Sequence, residues 1–479
     1  MLSIDPVTLA PVPELIAEIP TIANGGIVEN DDGTVTMRLT LRPEAVWSDG
    51  VPVTGDDLKE TADQLAAQSP YDLIDAESWL VGYKTVQFDL VEPSLRWLDL
   101  FSVVLPSHRV RGTDAFFDWE ADRWPVAGPF EISEVGTEIR LTANPEYWKT
   151  DPDTGASLPL LDEVIVRVLP SAVDAQSALA LGTIDVVPLG AAYEFEPPPT
   201  APELAVATSR GDEYEHLAFQ LGPTRFDRNP RSLNGSSVYR NLVALLVDRA
   251  GIADEIGAVA ELTSIVGASW PAAAGNGWPE EPLSSGQVRA AVDEIEADLG
   301  YDFDADPPEV RFNTTNSLER SLVAGVVTQE LASGGMFVDV GLEDPGLFFR
   351  DFVIAGEFDL ALWAWEASPG PLGAYEDLSS RFGDPEAGGE FNFYGWNAED
   401  SPQAAEVQAT LTEVERMMDL DEVAAALRRI DELIAADMVV IPLYQGLAGT
   451  VFAVDAVGGV DMPNGGLPLT VDAATWFVP

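Results

Sequence analysis

The strongest constraint on the fold is a regular exchange of helical and extended patterns between residues 287 and 365. Residues 287–299 read as helix, 310–313 as strand, 318–332 as helix, 337–342 as strand, 348–355 as helix and 358–365 as strand. Such alternation calls for a mostly parallel sheet with helical cover. Upstream, 28–41 reads as a hairpin turning at Asn30-Asp31-Asp32-Gly33, and a second hairpin, 130–135 with 138–143, turns at Gly136. Thr54 with Asp57 forms a capping box for a helix over 56–68. Further strands are expected at 162–169, 184–188, 216–221 and 439–444, and helices at 172–181, 238–256, 402–418 and 420–437. Gly182 is placed to stop the 172–181 helix. Residues 193–202 and 270–285 read as connections, rich in Pro with Glu and in Gly, Pro and Trp respectively.

Composition decides which function classes survive. The 479 residues carry 25 Lys+Arg against 81 Asp+Glu, a net charge of −56. A surface this acidic repels phosphate backbones and anionic headgroups, which excludes nucleic-acid binding by charge neutralisation. The hydrophobic share of 46% is enough for a large core, so the charge does not imply disorder. Lys59, Lys84 and Lys149 are the only lysines, a balance that suits a salty environment in which the repulsion is screened. There is no cysteine, which removes thiol nucleophiles, disulfides and Cys-type metal sites. Residues 1–20 hold neither a basic region nor a continuous apolar run of the signal-peptide kind. The long uncharged stretch 438–454 contains Pro442, Gly446 and Gly449 and reads as two strands, or a strand and a turn, rather than a membrane span.

The motif search points away from catalysis. No phosphate loop, dinucleotide fingerprint or nucleophile elbow occurs. His108 falls in a loop and His216 opens a strand, so both are assigned structural or surface roles. Asp302, Asp304 and Asp306 have calcium-loop spacing, but Pro307 stands where the loop needs glycine and Asn313 where it needs glutamate, so the segment reads as a solvated acidic loop. No catalytic residue, metal site or cofactor is assigned. The informative residues are aromatic. Trp363 and Trp365 share one face of a strand, and Phe391, Phe393, Tyr394 and Trp396 cluster beyond it. Core packing accounts for most such rings. Trp365, at a strand end before Ser368-Pro369-Gly370-Pro371, is the best candidate for the wall of an organic-ligand pocket.

Several segments together resemble one family. Leu41-Arg42-Pro43, then Val46-Trp47-Ser48-Asp49-Gly50-Val51-Pro52-Val53-Thr54 running to Asp57, is similar to the signature of family 5 extracytoplasmic solute-binding proteins, the peptide and nickel receptors of ABC importers; only Gly55 departs in its last part. Leu105-Pro106-Ser107-His108, Gly128-Pro129-Phe130 with Asn144-Pro145-Glu146-Tyr147-Trp148, Leu161-Asp162-Glu163-Val164, Leu181-Gly182-Thr183-Ile184-Asp185-Val186-Val187 and Val439-Val440-Ile441-Pro442-Leu443-Tyr444 follow in the family's order.

The resemblance implies a two-lobed α/β fold of the periplasmic-binding-protein type, class II, with an extra small subdomain on lobe one. Lobe one is then 1–222 and 446–479, with the small subdomain within about 1–127, and lobe two is 223–445. The chain would cross between lobes near 221–227 and near 444–449. It also implies a non-enzymatic, monomeric receptor outside the cytoplasmic membrane, lipid-anchored in its precursor. Such a receptor closes on a hinge around a peptide or other small organic ligand and delivers it to a permease. The alternative is an envelope lipoprotein of the same build acting in cell-wall glycolipid assembly. Against the family pattern, the leader and the opening strand are missing. Ser368 also stands where peptide receptors place an aspartate for the ligand's amino group. The implied ligand contacts are Trp365, Ser368, Asn392, Tyr394, Gln220 and Tyr444.

Overall fold

The computed structural model describes residues 1–113, 124–189, 203–222, 229, 232–257, 259–279 and 282–479. The chain forms two compact units. The first comprises Met1–Ser209, Glu415–Leu420 and Ala448–Pro479, and the second Arg210–Val414 and Asp421–Leu447. Two long strands, Leu204–Phe219 and Val440–Ala453, each contribute residues to both units. The loop expected at 193–202 and most of the crossing expected at 221–227 lie outside the described residues.

In the first unit the alternation of Val35, Met37 and Leu39 does what it implies. The strand Val35–Thr40 pairs antiparallel with Ile27–Glu29 and Thr85–Leu90, and buries those side chains with Phe88, Trp97 and Phe101. The turn between the first two strands places Gly33 at φ +89°, a conformation open to glycine at no steric cost. The helix Gly55–Leu65 starts at the expected box, where the Thr54 N–H donates to Asp57 Oδ2 at 2.7 Å. Asp57 is 1% exposed and does more than cap. It also accepts from the Trp47 indole at 3.3 Å and from the Ser107 N–H at 2.7 Å, while Asp49 holds His108 Nε2 at 2.9 Å and Arg109 at 3.0 Å. The segments around Trp47 and Ser107, remote in sequence, are therefore two sides of one buried network. His108 sits in a short helix, Ser107–Val110, where a loop was expected. Asp57→Ala leaves three donors without their acceptor. It is expected to destabilise the first unit by about 2–4 kcal/mol, read as a lower urea midpoint.

A three-stranded sheet, Phe130–Val135, Glu138–Ala143 and Glu163–Arg167, follows as expected, with a bulge between Ile132 and Glu134. The short pair Leu2–Ile4 and Pro11–Pro13 was not legible, because three-residue strands are too short to show alternation.

The second unit carries the helix–strand alternation. Phe337–Glu343, Glu309–Thr315 and Leu360–Glu366 form a parallel ladder in that spatial order. Leu360–Glu366 then pairs antiparallel with residues 213–219. The sheet is therefore mixed. The helix Leu318–Ser333 is the crossover between Glu309–Thr315 and Phe337–Glu343 and packs on both; Ser285–Leu299 precedes the ladder and Gly370–Phe382 follows it.

Four expectations are corrected. The strand expected at 216–221 is the last part of Leu204–Phe219; its first part is rich in charged and polar residues and shows no apolar alternation. Residues 438–454 hold one continuous strand, Val440–Ala453, because Gly446 and Gly449 lie opposite Val259 and Leu189 in ladders that hold them extended. The helix expected at 238–256 breaks into Ser237–Leu246 and Arg249–Ile256, where Asp248 caps the second by accepting from the Gly251 N–H. The helix expected at 348–355 is a π-type turn, Phe348–Val353.

Glu330, on Leu318–Ser333, has one oxygen buried without a partner and lies beside Asp248. Burial, then the like charge of Asp248, pushes its carboxyl up to about 7. The folded state thus favours the protonated form. Its stabilising contribution is full below the ordinary carboxyl range and is lost as pH rises through about 7. Glu330→Gln is expected to match the parent protein at pH about 4 and to exceed its stability at pH about 8, by urea unfolding at both.

Candidate functional site

The strand Leu360–Glu366 reads LALWAWE and is buried over its first four residues. It ends against Asp212, whose carbonyl accepts from the Ala367 N–H at 2.8 Å. The chain then turns through Ser368 and Pro369 into the helix Gly370–Phe382. That turn is tight. A Cβ on Gly373 would lie 2.5 Å from the Ser368 carbonyl oxygen, so only glycine lets the first helical turn close on Ser368.

Asp377, one turn along, is the hub. Its Oδ2 accepts from the Ser368 N–H at 2.8 Å and the Ser269 hydroxyl at 2.9 Å, and its Oδ1 from the Ser368 hydroxyl at 3.0 Å and Arg381 Nη2 at 2.9 Å. Burial raises its pKa, opposed first by Arg381 and then by the Ser368 and Ser269 bonds. Arg381 is 7% exposed. It also donates to Tyr214 Oη at 3.0 Å and to the Glu366 carbonyl at 2.5 Å, and its Cζ lies 4.9 Å from the centre of the Trp365 ring. The Trp365 ring lies near-parallel to His216 and Phe393 and tilted against Phe391, while its indole N–H donates to Tyr394 Oη at 2.9 Å. His216 is wholly buried in this stack, and burial pushes its pKa down to about 3, so it is neutral at ordinary pH. It packs the site and has no route to act as a base in solvent.

A cavity of about 560 Å³ opens here, lined entirely by residues of the second unit. Directly opposite residues of an antiparallel pair share a face. Glu213 faces Glu366 on one side of the ladder, and Tyr214 faces Trp365 on the other. The cavity takes in both sides, with Glu213, Arg320 and Glu366 on the first and Trp365, Ser368, Asp377, Arg381 and Phe391 on the second, and Phe349 also lines it. It therefore wraps the carboxyl end of the 360–366 strand, the end at which open α/β sheets place their ligands.

Of the residues singled out from sequence, Trp365 and Ser368 line this cavity. Tyr394 is fully buried behind Trp365, between Trp363 and Phe382. Asn392 donates to the Gly383 and Trp396 carbonyls and pins the loop beyond the helix. Gln220 bonds the Phe393 carbonyl and the Gly222 N–H. Tyr444 donates to Glu319 at 2.8 Å. None of these four lines the cavity. Sequence reading missed Asp377 and Arg381, although an acid and an arginine four apart on a helix are a visible pairing signal. It also missed Glu213, Arg320 and Phe349, which share the site only through strand pairing and chain return.

Among the described residues no cluster of three or more His, Asp or Glu is arranged to hold a metal ion, and no helix is long and apolar enough to cross a membrane. Fold and cavity together define a solute-binding protein. Residues 10–383 match the bacterial extracellular solute-binding proteins, family 5 (middle region), and the chain belongs to that family. It is 24% identical over 441 residues to the oligopeptide-binding protein OppA of Mycobacterium tuberculosis, covering 87% of this chain and 70% of that one. Two solved structures share the fold. The nickel ABC transporter protein of Bacillus halodurans is 19% identical with a TM-score of 0.68, over 97% of this chain and 91% of that one. The ABC transporter substrate-binding protein CtaP of Listeria monocytogenes is 16% identical with a TM-score of 0.67, over 98% and 92%.

Proposed function

We propose that this chain is the receptor of an ABC importer, taking one organic solute into the cavity at the end of the 360–366 strand and delivering it to a permease. The observation that carries the reading is the cavity itself: an aromatic wall at Trp365 and Phe391 beside an ordered polar group, Ser368–Asp377–Arg381. Pockets for organic molecules combine apolar surface with a few fixed polar groups in this way. Trp365 and Ser368 contact the solute. Tyr394, Asn392 and Gln220 hold the wall from behind, and Tyr444 braces Glu319 next to Arg320. The receptor works as a monomer outside the cytoplasmic membrane, and binding is coupled to hinge closure. The similarity to a protein named for oligopeptide binding makes peptides the first ligands to test.

The test is purification from the native host and mass spectrometry of the co-purifying solute, followed by X-ray scattering with and without it. One stoichiometric small molecule and a smaller radius of gyration at saturation are expected. Turnover of the solute, or an unchanged radius at saturation, contradicts the reading.

A further inference from the structure

The charges around the cavity do not balance. Asp377 and Arg381 neutralise each other, and Arg320 is committed to Glu215 Oε1 at 2.6 Å and Thr315 Oγ1 at 3.0 Å. This leaves Glu213 and Glu366. Both line the cavity, both are exposed, and neither carboxylate has a hydrogen-bond or ion-pair partner among the described residues. They also stand directly opposite each other in the ladder, an arrangement of like charges that destabilises a strand pair. Two residues inward on the same face, Glu215 is 8% exposed and its Oε2 is buried without a partner. One arginine thus serves a face that carries three carboxylates. The same cavity, around the strand end, is also lined by Phe349 and Phe391, 37% and 42% exposed, rings whose faces attract cations.

Resting on the receptor reading, we infer that the solute is an organic cation, whose positive group sits between Glu213 and Glu366 and whose apolar part lies against Phe349, Phe391 and Trp365. This arrangement assigns the charge recognition to the facing pair on the strands, not to position 368. Ser368 is turned inward to Asp377 through both its N–H and its hydroxyl. The facing pair is kept at a cost in the empty protein and is relieved when a cation bridges it.

The test uses the whole chain and five probes, followed by calorimetry and tryptophan fluorescence. The tripeptides Lys-Phe-Lys, Ala-Phe-Ala and Glu-Phe-Glu vary charge at fixed length, and spermidine and citrate vary it without a peptide backbone. Salt of about 0.5 M screens the overall negative charge. Lys-Phe-Lys is expected to bind about 30-fold more tightly than Ala-Phe-Ala, spermidine to bind, and Glu-Phe-Glu and citrate not to bind. Glu213→Gln and Glu366→Gln are each expected to weaken Lys-Phe-Lys about tenfold, to weaken Ala-Phe-Ala, whose only cation is its α-ammonium, by a smaller factor, and to raise the melting temperature of the free protein by about 1 °C. A purely structural role for the pair would not move affinity by probe charge. Equal affinities, preference for the acidic probes, or unchanged Lys-Phe-Lys binding in both variants overturns the inference and leaves the receptor reading standing. Failure of all five probes to bind overturns both.

Discussion

Asp377→Ala is expected to destabilise the second unit by about 3–5 kcal/mol and to abolish solute binding. The substitution removes the acceptor of four hydrogen bonds and the counter-charge of Arg381, which is 7% exposed. A buried guanidinium without its carboxylate is costly, because the interior does not solvate it as water does. The damage is also local to the site. Ser368 loses both bonds that hold it against the helix, and Arg381 is freed from its place over Trp365. Asp377→Asn keeps oxygen and shape but not charge, and is expected to lose about half as much stability. The double variant Asp377→Ala with Arg381→Met removes both charges and is expected to recover most of the stability while binding stays lost. Urea unfolding followed by tryptophan fluorescence, fitted with one transition per unit, checks the series. Equal destabilisation in the single and double variants would falsify the ion-pair account.

Trp365→Ala is expected to weaken solute binding about 100-fold, near 2.7 kcal/mol, while the protein stays folded. The ring is half-buried. It stacks on Phe393 and His216, lies under the Arg381 guanidinium, is tilted against Phe391 and is steered by its bond to Tyr394. Its loss therefore removes a wall of the cavity and costs about 2–3 kcal/mol of stability as well. Trp365→Phe separates these effects. It keeps an apolar ring but loses the indole N–H, so binding is expected to fall only about tenfold. Calorimetry with the co-purified solute reads the affinities, and thermal melts read the stabilities. A Trp365→Ala protein that binds as the parent does places the solute elsewhere.

The parts legible in the sequence were those set by local periodicity. The 287–365 alternation yields the parallel ladder because each segment is long enough to show its period. The Thr54–Asp57 box and the Gly33 turn are local chemistry, and both are present. Leu204–Phe219 was only partly visible, because half its length is polar and partly exposed. Trp365 and Ser368, which line the cavity, belong to the strand end and to the turn after it, a feature visible in the local sequence. Tyr394 and Gln220, expected as ligand contacts, are buried outside the cavity lining, a placement that depends on which ring stacks on which and has no signature in spacing. Glu213 reaches the cavity through strand pairing with Glu366 and Arg320 through its bond to Glu215, each across more than a hundred residues of chain, which no local pattern encodes.

The most direct test of the central claim, that the second unit holds a solute at the carboxyl end of the 360–366 strand, is a crystal structure of the protein with its co-purified solute bound. The account predicts solute density within contact distance of Trp365 and Ser368, with Asp377 and Arg381 still paired beneath it. Density seated away from that strand end, or a solute that leaves Trp365 untouched, contradicts it.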